Sequence, residues 1–310
     1  MIHSDKKNYL SIDIGGTNIK YGMLDNSGNL LFHKKIMTPH SENDLIISLK
    51  NIVKPYLTNI RGIGISVPGK VDTRTGTIYY GGSLPFLDKI SLKDKLEEVF
   101  KIPVAVGNDG KSGALAELWL GSLKKVDNGA IIILGTGVGG GIILNHQLVQ
   151  GSHYQAGELS YMNLNQGMLN KLNLVGYSGS AVKMVEECAK ALEMDDLHDG
   201  IRVFDEINKK NSKVMKIFTN YCNVIAEVIL NIQSVIDLNT FAISGGISSQ
   251  KVVIDGINKS YARLLDSNPL LKEQMVFPNI VQAHFKNDAN LYGALYNWFL
   301  QNDKSIFRTA

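Results

Sequence analysis

The chain is short of the residues that define several classes of protein. Its 310 residues include only two cysteines, Cys188 and Cys222, too few for a disulfide framework and set in no pairing motif. Free thiols of this kind are usually buried and inert. The seven histidines, His3, His33, His40, His146, His153, His198 and His284, never fall four apart, so no two share a helix face as a zinc-binding pair. Charge of one sign is also lacking: 32 Lys and Arg against 29 Asp and Glu leave +3, far less than a nucleic-acid partner calls for. No apolar run approaches the roughly 20 residues of a membrane span, and the start, Met1-Ile-His-Ser-Asp-Lys-Lys, has no apolar signal-peptide core. A cytoplasmic protein with no membrane or nucleic-acid partner is expected.

Hydrophobic residues and glycine are present in quantity. A hydrophobic content of 44% supports two domain cores at roughly 100 to 200 residues each and excludes disorder as the main state. Many of the 30 glycines follow apolar runs, at turns rather than in linkers. Segments Tyr9-Leu-Ser-Ile-Asp-Ile, Asn18-Ile-Lys-Tyr-Gly-Met-Leu and Leu30-Leu-Phe-His-Lys-Lys-Ile, separated by Gly15-Gly16 and Asn26-Ser-Gly-Asn29, predict a three-stranded meander. A helix over 42–57, a strand over 60–67, a helix over 92–100, a strand over 102–106 and a helix over 111–120 follow. Gly129-Ala-Ile-Ile-Ile-Leu-Gly-Thr-Gly-Val-Gly-Gly-Gly-Ile-Ile-Leu-Asn-His-Gln-Leu-Val then repeats the opening meander. A helical stretch over about 180–236 leads to Thr240-Phe-Ala-Ile-Ser-Gly-Gly-Ile, which mirrors Gly62-Ile-Gly-Ile-Ser-Val-Pro-Gly. Two similar α/β halves with mixed sheets and a cleft between them are implied, and the last helix, 291–300, is long enough to pack on the first half.

Four segments bear on chemistry, one of them read in two ways. Asp13-Ile-Gly-Gly-Thr-Asn-Ile-Lys sets a glycine turn, whose N–H groups suit a phosphate, beside a carboxylate that would be costly to bury unless it had a use. Gly135-Thr-Gly-Val-Gly-Gly matches a dinucleotide fingerprint, but that fingerprint must open a helix. A short β-branched run and a turn follow instead, so a second phosphate-contacting hairpin is expected. Ala105-Val-Gly-Asn-Asp-Gly-Lys-Ser satisfies a relaxed P-loop, in which Lys111 would hold phosphates and Ser112 Mg2+. The two glycine hairpins without a P-loop role speak against it. Asn108-Asp109 at a strand end, ahead of a helix, can offer a carboxylate to a hydroxyl nucleophile, or be a plain turn and helix cap. Ala156-Gly-Glu-Leu-Ser-Tyr puts a carboxylate and a phenol three residues apart, where both could bond a polyol.

In order, Asp13-Ile-Gly-Gly-Thr, Val67-Pro-Gly, Pro103-Val-Ala-Val-Gly-Asn-Asp, Leu134-Gly-Thr-Gly-Val-Gly-Gly-Gly, Ala156-Gly-Glu, Ser244-Gly-Gly-Ile and Tyr292-Gly-Ala resemble the ROK family of sugar kinases, within the actin, Hsp70 and hexokinase ATPase superfamily. The resemblance spans nearly the whole chain. It implies a two-lobed, actin-like (duplicated ribonuclease H-like) α/β fold, with lobes 1–118 plus the C-terminal helix 288–310, and 119–287. It also implies ATP and Mg2+ as cofactors, a small-molecule sugar as partner, and a homodimer as in relatives. Asp109 would be the general base. Gly69, Lys70, Gly82, Asn108, Asp109, Glu158 and Tyr161 would line the sugar. Asp13, Gly15, Gly16, Thr17, Asn18, Lys20, Gly135, Thr136, Gly137, Gly139, Gly245 and Gly246 would hold ATP, with Asp13 near Mg2+, directly or through water.

Two departures from the family pattern matter. Most members follow Ala-Gly-Glu with Gly-His and a later cysteine cluster that together hold a structural zinc. Here Tyr161 takes the His position and only Cys188 and Cys222 are present, so no zinc site is expected and the usual His and second Glu contacts to the sugar are missing. Tyr161-Met162, Gly81-Gly82 and the tail Lys286-Asn-Asp-Ala-Asn-Leu-Tyr-Gly-Ala resemble the β-glucoside kinase branch. The expected activity is transfer of the γ-phosphoryl of Mg-ATP to a hydroxyl, the 6-OH, of a hexose or β-glucoside. Glucokinase and N-acetylmannosamine kinase are the alternatives, and a non-catalytic sugar sensor on the same scaffold is the alternative class. The family's transcriptional repressors carry an additional N-terminal helix-turn-helix, for which the residues before Tyr9 leave no room.

Overall fold

The computed structural model describes residues 8–164, 173–285 and 288–303. Lys286 and Asn287 of the tail motif, His3 and residues 304–310 lie outside them. The chain forms two compact units: Met1–Gly121 with Gln150–Ala156 and Asp288–Ala310, and Ser122–Val149 with Gly157–Asn287.

In the first unit the meander forms as expected: β1 (Asn8–Ile14), β2 (Asn18–Asp25) and β3 (Leu30–Met37). Helix α1 (Glu42–Val53) is capped by Ser41, whose side chain accepts from the Asp44 N–H. The helix gives way to a 3-10 turn over Lys54–Tyr56, because Pro55 has no N–H to continue the ladder. β4 (Ile60–Val67) runs parallel to β1. A small antiparallel sheet that the sequence reading missed follows, β5 (Lys70–Asp72), β6 (Thr77–Tyr79) and β7 (Ile90–Ser91). Then come α2 (Leu92–Phe100), β8 (Val104–Asn108), two residues later than expected, and α3 (Asp109–Leu120). Helix α3 starts two residues earlier than expected because Asn108 caps it, its Oδ1 accepting from the Lys111 N–H at 3.1 Å.

The second unit repeats the plan with β9 (Gly129–Leu134), β10 (Val138–Leu144) and β11 (Gln147–Leu148). The helical middle is not one run. It divides into α4 (Val175–Ser178), α5 (Ala181–Ala191), α6 (Gly200–Asn208) and α7 (Ser212–Ile236). Asp199 and Asn211 cap α6 and α7 afresh, after left-handed Glu193 and Lys210 have turned the chain. β12 (Thr240–Gly245), α8 (Lys251–Asp266), α9 (Pro269–Gln274) and β13 (Asn279–Gln282) complete it. The sheets have matching orders, β3-β2-β1-β4-β8 and β11-β10-β9-β12-β13, each an antiparallel meander whose first strand is continued by two parallel strands.

The last helix, α10 (Ala289–Asn302), belongs to the first unit. An added Cβ at Gly64 would sit 2.3 Å from the Ala294 carbonyl oxygen, and one at Gly62 2.3 Å from the Trp298 ring. Asn290, Ala294 and Trp298 recur every four residues, about 6 Å on a helix, which matches the two-residue repeat of about 6.6 Å along a strand that carries Ser66, Gly64 and Gly62. The glycines alternate with Ile63 and Ile65, both fully buried in the main core of this unit. Tyr9 packs on Trp298 and Phe299, with ring centroids 4.9 Å apart in both pairs. Among the described residues no helix is long and apolar enough to cross a membrane.

Candidate active site

In the first unit the singled-out residues gather at the C-terminal ends of the parallel strands, where open α/β sheets bind ligands. Asp13 pairs in register with Ser66, and Val67 with Asn108. Asp13 is 9% exposed. Its Oδ1 accepts from Ser66 Oγ at 3.0 Å and from Asn290 Nδ2 at 3.0 Å. Burial raises its pKa above the usual carboxylate value, opposed by those two bonds and the charge of Lys20, which faces it across the β1–β2 ladder. The turn that follows is locked by Gly15 N–H to Asn18 O at 3.0 Å. Thr38 adds two further bonds, its hydroxyl donating to Gly15 O at 2.6 Å and its N–H to Thr17 O at 3.0 Å. Gly16 abuts Ser83. Ser66 and Thr38 escaped the sequence reading, and Asn290 entered it only as part of the tail motif. The signal for Ser66 was a polar residue late in an apolar strand; the other two come from distant segments.

Asn108 joins three parts of the site. Its Nδ2 donates to Gly69 O and to Asp109 Oδ1, both at 2.9 Å. Asp109 Oδ1 also accepts from the Gly110 N–H at 2.8 Å, so the carboxylate is oriented at the first turn of α3. Gly69 has φ 92° and lies so close to Gly81 that an added Cβ would come 2.9 Å from its backbone; Gly82, with φ 56°, approaches the Gly69 N–H as closely. Lys70 Nζ lies 5.0 Å from the Tyr79 ring centroid.

The P-loop alternative fails here. Residues 105–108 are strand and 109–112 are helix, with no loop between to wrap a phosphate. Lys111 is buried, and its Nζ donates to Tyr154 O at 2.7 Å and Gln150 O at 3.4 Å. Ser112 lies against Gly293, whose added Cβ would fall 1.7 Å from the Ser112 carbonyl oxygen.

In the second unit, Leu134 pairs with Gly245 on parallel β9 and β12, so Gly135 and Gly246 leave the sheet side by side. Gly245 needs to be glycine, with φ 100° and Leu134 O 2.1 Å from an added Cβ. At Gly135 and Gly246 an added Cβ would meet nothing within 4 Å. Among the described residues no packing demands glycine there, which suits close approach by a ligand. Thr136 sits in this turn, closed by Gly135 N–H to Gly137 O at 3.1 Å, and Gly139 lies on β10. Ser160 holds the turn to the Glu158 segment: its Oγ accepts from Val138 N–H at 3.0 Å and an added Cβ on Gly137 would come within 2.8 Å of it. Glu158 precedes a 3-10 turn over Leu159–Tyr161, and the Tyr161 side chain is 73% exposed.

The sites differ in their fitness for metals. The buried Asp13 carboxylate beside a glycine turn, with the charge of Asp288 acting on it, fits Mg2+, which keeps several waters and binds through one or two carboxylates and substrate phosphates. Among the described residues there is no cluster of three or more His, Cys, Asp or Glu able to hold a metal. Burial pushes the thiols of Cys188 and Cys222 up to about 12, so both are protonated at neutral pH and poor metal ligands.

Two duplicated α/β units, each with a glycine turn at its sheet end and one with an oriented carboxylate, define a phosphotransferase of the sugar kinase class. The chain belongs to the ROK family, whose sequence profile matches residues 9–301, and it is a carbohydrate kinase. A β-glucoside kinase from Listeria monocytogenes is 28% identical over 306 residues, 94% of this chain and 97% of that protein. A ROK family protein from Streptococcus pneumoniae, solved in complex with sucrose, superposes with TM-score 0.86 at 31% identity, covering 95% of this chain and 98% of that one. A ROK glucokinase from Streptomyces griseus, solved with glucose and AMPPNP, has TM-score 0.78 at 25% identity, with 93% and 97% covered. The fold is accordingly the two-lobed, actin-like α/β fold of these kinases.

Proposed function

We propose that the chain phosphorylates the 6-hydroxyl of a β-glucoside such as cellobiose, using ATP, with Asp109 as general base. The observation that carries this is the double anchoring of Asp109 Oδ1 by Asn108 Nδ2 and the Gly110 N–H. A carboxylate fixed at a helix start beside Gly69 can meet an acceptor hydroxyl in one orientation, and phosphoryl transfer asks of the protein mainly positioning, charge stabilisation and removal of one proton.

Asp109 takes that proton as the sugar oxygen bonds to the γ-phosphorus and the bond to ADP breaks. Asn108, Gly69, Lys70, Gly82 and Glu158 hold the sugar. The glycine turn of Gly15, Gly16 and Thr17, with Asn18 and Lys20, and that of Gly135, Thr136, Gly137 and Gly139 cradle phosphates, the Gly15 and Gly135 N–H groups closing the turns rather than meeting the ligand, while Gly246, beside Gly245, leaves room for the nucleoside. Asp13 would hold Mg2+ through water, and the bound ion would supply neutralisation of phosphate charge. AMPPNP in the Streptomyces griseus structure, an ATP analogue, supports ATP as donor.

The acceptor follows from what is missing. Where most members place a His that grips hydroxyls near C1 and C2, this chain has exposed Tyr161. A site without partners for a hydroxyl stops rejecting substrates in which that hydroxyl is substituted. The name of the Listeria relative supports a glucoside. A coupled ATP-consumption assay with cellobiose, glucose, N-acetylmannosamine or no sugar tests this. Sugar-dependent turnover with the highest kcat/KM for cellobiose is expected; a higher value for free glucose or N-acetylmannosamine refutes the glucoside, and sugar binding without ATP consumption identifies a sensor.

A further inference from the structure

Directly before Gly81 and Gly82, which pack on Gly69, lies a residue that no motif singled out. Tyr80 is 74% exposed yet sits at φ 65°, a conformation that bulky side chains rarely adopt. Gly81 and Gly82 follow, both at φ 56°, so three successive residues are left-handed. Backbone strain of this kind persists only where its surroundings enforce it, and it gathers at ligand clamps. Here the Tyr80 N–H donates to Asp88 Oδ1 at 2.7 Å. Lys70 Nζ lies 5.6 Å from the Tyr80 ring centroid and 5.0 Å from that of Tyr79. Lys70 directly follows Gly69, whose carbonyl is bound by Asn108. The ring is therefore held in place from its backbone and by a neighbouring cation while its surface stays in water.

We infer that the Tyr80 ring, with Lys70 beside it, is the platform for the second ring of a disaccharide acceptor, the aglycone side of the glycoside. This rests on the proposed glucoside kinase activity. A pyranose ring offers C–H groups on its faces and hydroxyls at its edge. An aromatic face matches the first and an ammonium the second, and a pre-positioned aromatic loses little conformational freedom on binding.

The test compares Tyr80→Asn with Tyr80→Phe. Asparagine tolerates the left-handed backbone and lacks the ring; phenylalanine keeps it. With ATP as donor, Tyr80→Asn should lose roughly tenfold in kcat/KM for cellobiose, chiefly through KM, and Tyr80→Phe should retain most of it. For glucose both variants should stay within about twofold of the parent. Equal losses on both acceptors, or no loss on either, with a parent that does phosphorylate cellobiose, overturn the platform alone. A parent that phosphorylates glucose but no β-glucoside overturns the acceptor assignment and the platform with it.

Discussion

The ammonium of Lys111 lies 2.7 Å from the carbonyl oxygen of Tyr154, binding helix α3 to the segment Gln150–Ala156, which belongs to the first unit although the chain on either side belongs to the second. Lys111 is thus an anchor. Lys111→Met should cost about 2 kcal/mol, because a buried charged donor is lost and its acceptors are left unpaired. It should leave kcat within about tenfold of the parent, well short of removing a general base. Urea unfolding and steady-state kinetics on the same variant check both; a kcat loss as large as that of an Asp109 variant would give Lys111 a catalytic role.

Two glycines should respond in opposite ways. Gly293→Ala drives a methyl into the Ser112 backbone, 1.7 Å away, and should cost about 3 kcal/mol or more. The added methyl of Gly246→Ala meets no atom of the described residues within 4 Å beyond its chain neighbours, so stability should stay within about 0.5 kcal/mol while KM for ATP rises. Chemical unfolding separates the first effect, and ATP titration the second. Unchanged ATP affinity in Gly246→Ala would remove this turn from the nucleotide site.

A pH-dependent prediction concerns Asp72. Burial pushes its pKa up, but the hydroxyl of Tyr154, bonding Asp72 Oδ1 at 2.7 Å, and the N–H groups of Arg74 and Thr75 outweigh it and hold the carboxyl below its ordinary 3.8. A depressed pKa stabilises the folded state above the ordinary value, and that contribution is lost as pH falls through the depressed one. Tyr154→Phe should therefore be less stable than the parent at neutral pH, with the gap closing below about pH 4. Urea unfolding across that range checks it; a gap independent of pH would mean that packing, not the Asp72 bond, accounts for the loss.

Where local signals are strong, the fold is legible in the residues. β4 stops where its apolar run meets Pro68, and both meanders are marked by glycine turns whose repetition exposes the duplication. The small sheet of β5, β6 and β7 was not legible, because strands of two or three residues carry no alternating period. The start of α3 was misplaced because Asn108-Asp109-Gly110 looks like a turn, and only the Asn108 cap shows it to be helix. Asp13 and Asn108 could be singled out as polar residues ending apolar strands. Their partners could not: Asn290 lies 277 residues from Asp13, and Asn108 reaches Gly69 only because β4 and β8 run parallel.

The central claim is that Asp109 removes the proton of the acceptor hydroxyl. Asp109→Asn retains an Oδ1 to accept from Asn108 Nδ2 and the Gly110 N–H, so the site should keep its shape while losing its base. The decisive measurement is kcat of this variant with ATP and saturating cellobiose or glucose, alongside sugar affinity by calorimetry. A fall of roughly two to four orders of magnitude in kcat with sugar affinity preserved is the predicted result. Turnover close to that of the parent would contradict the assignment.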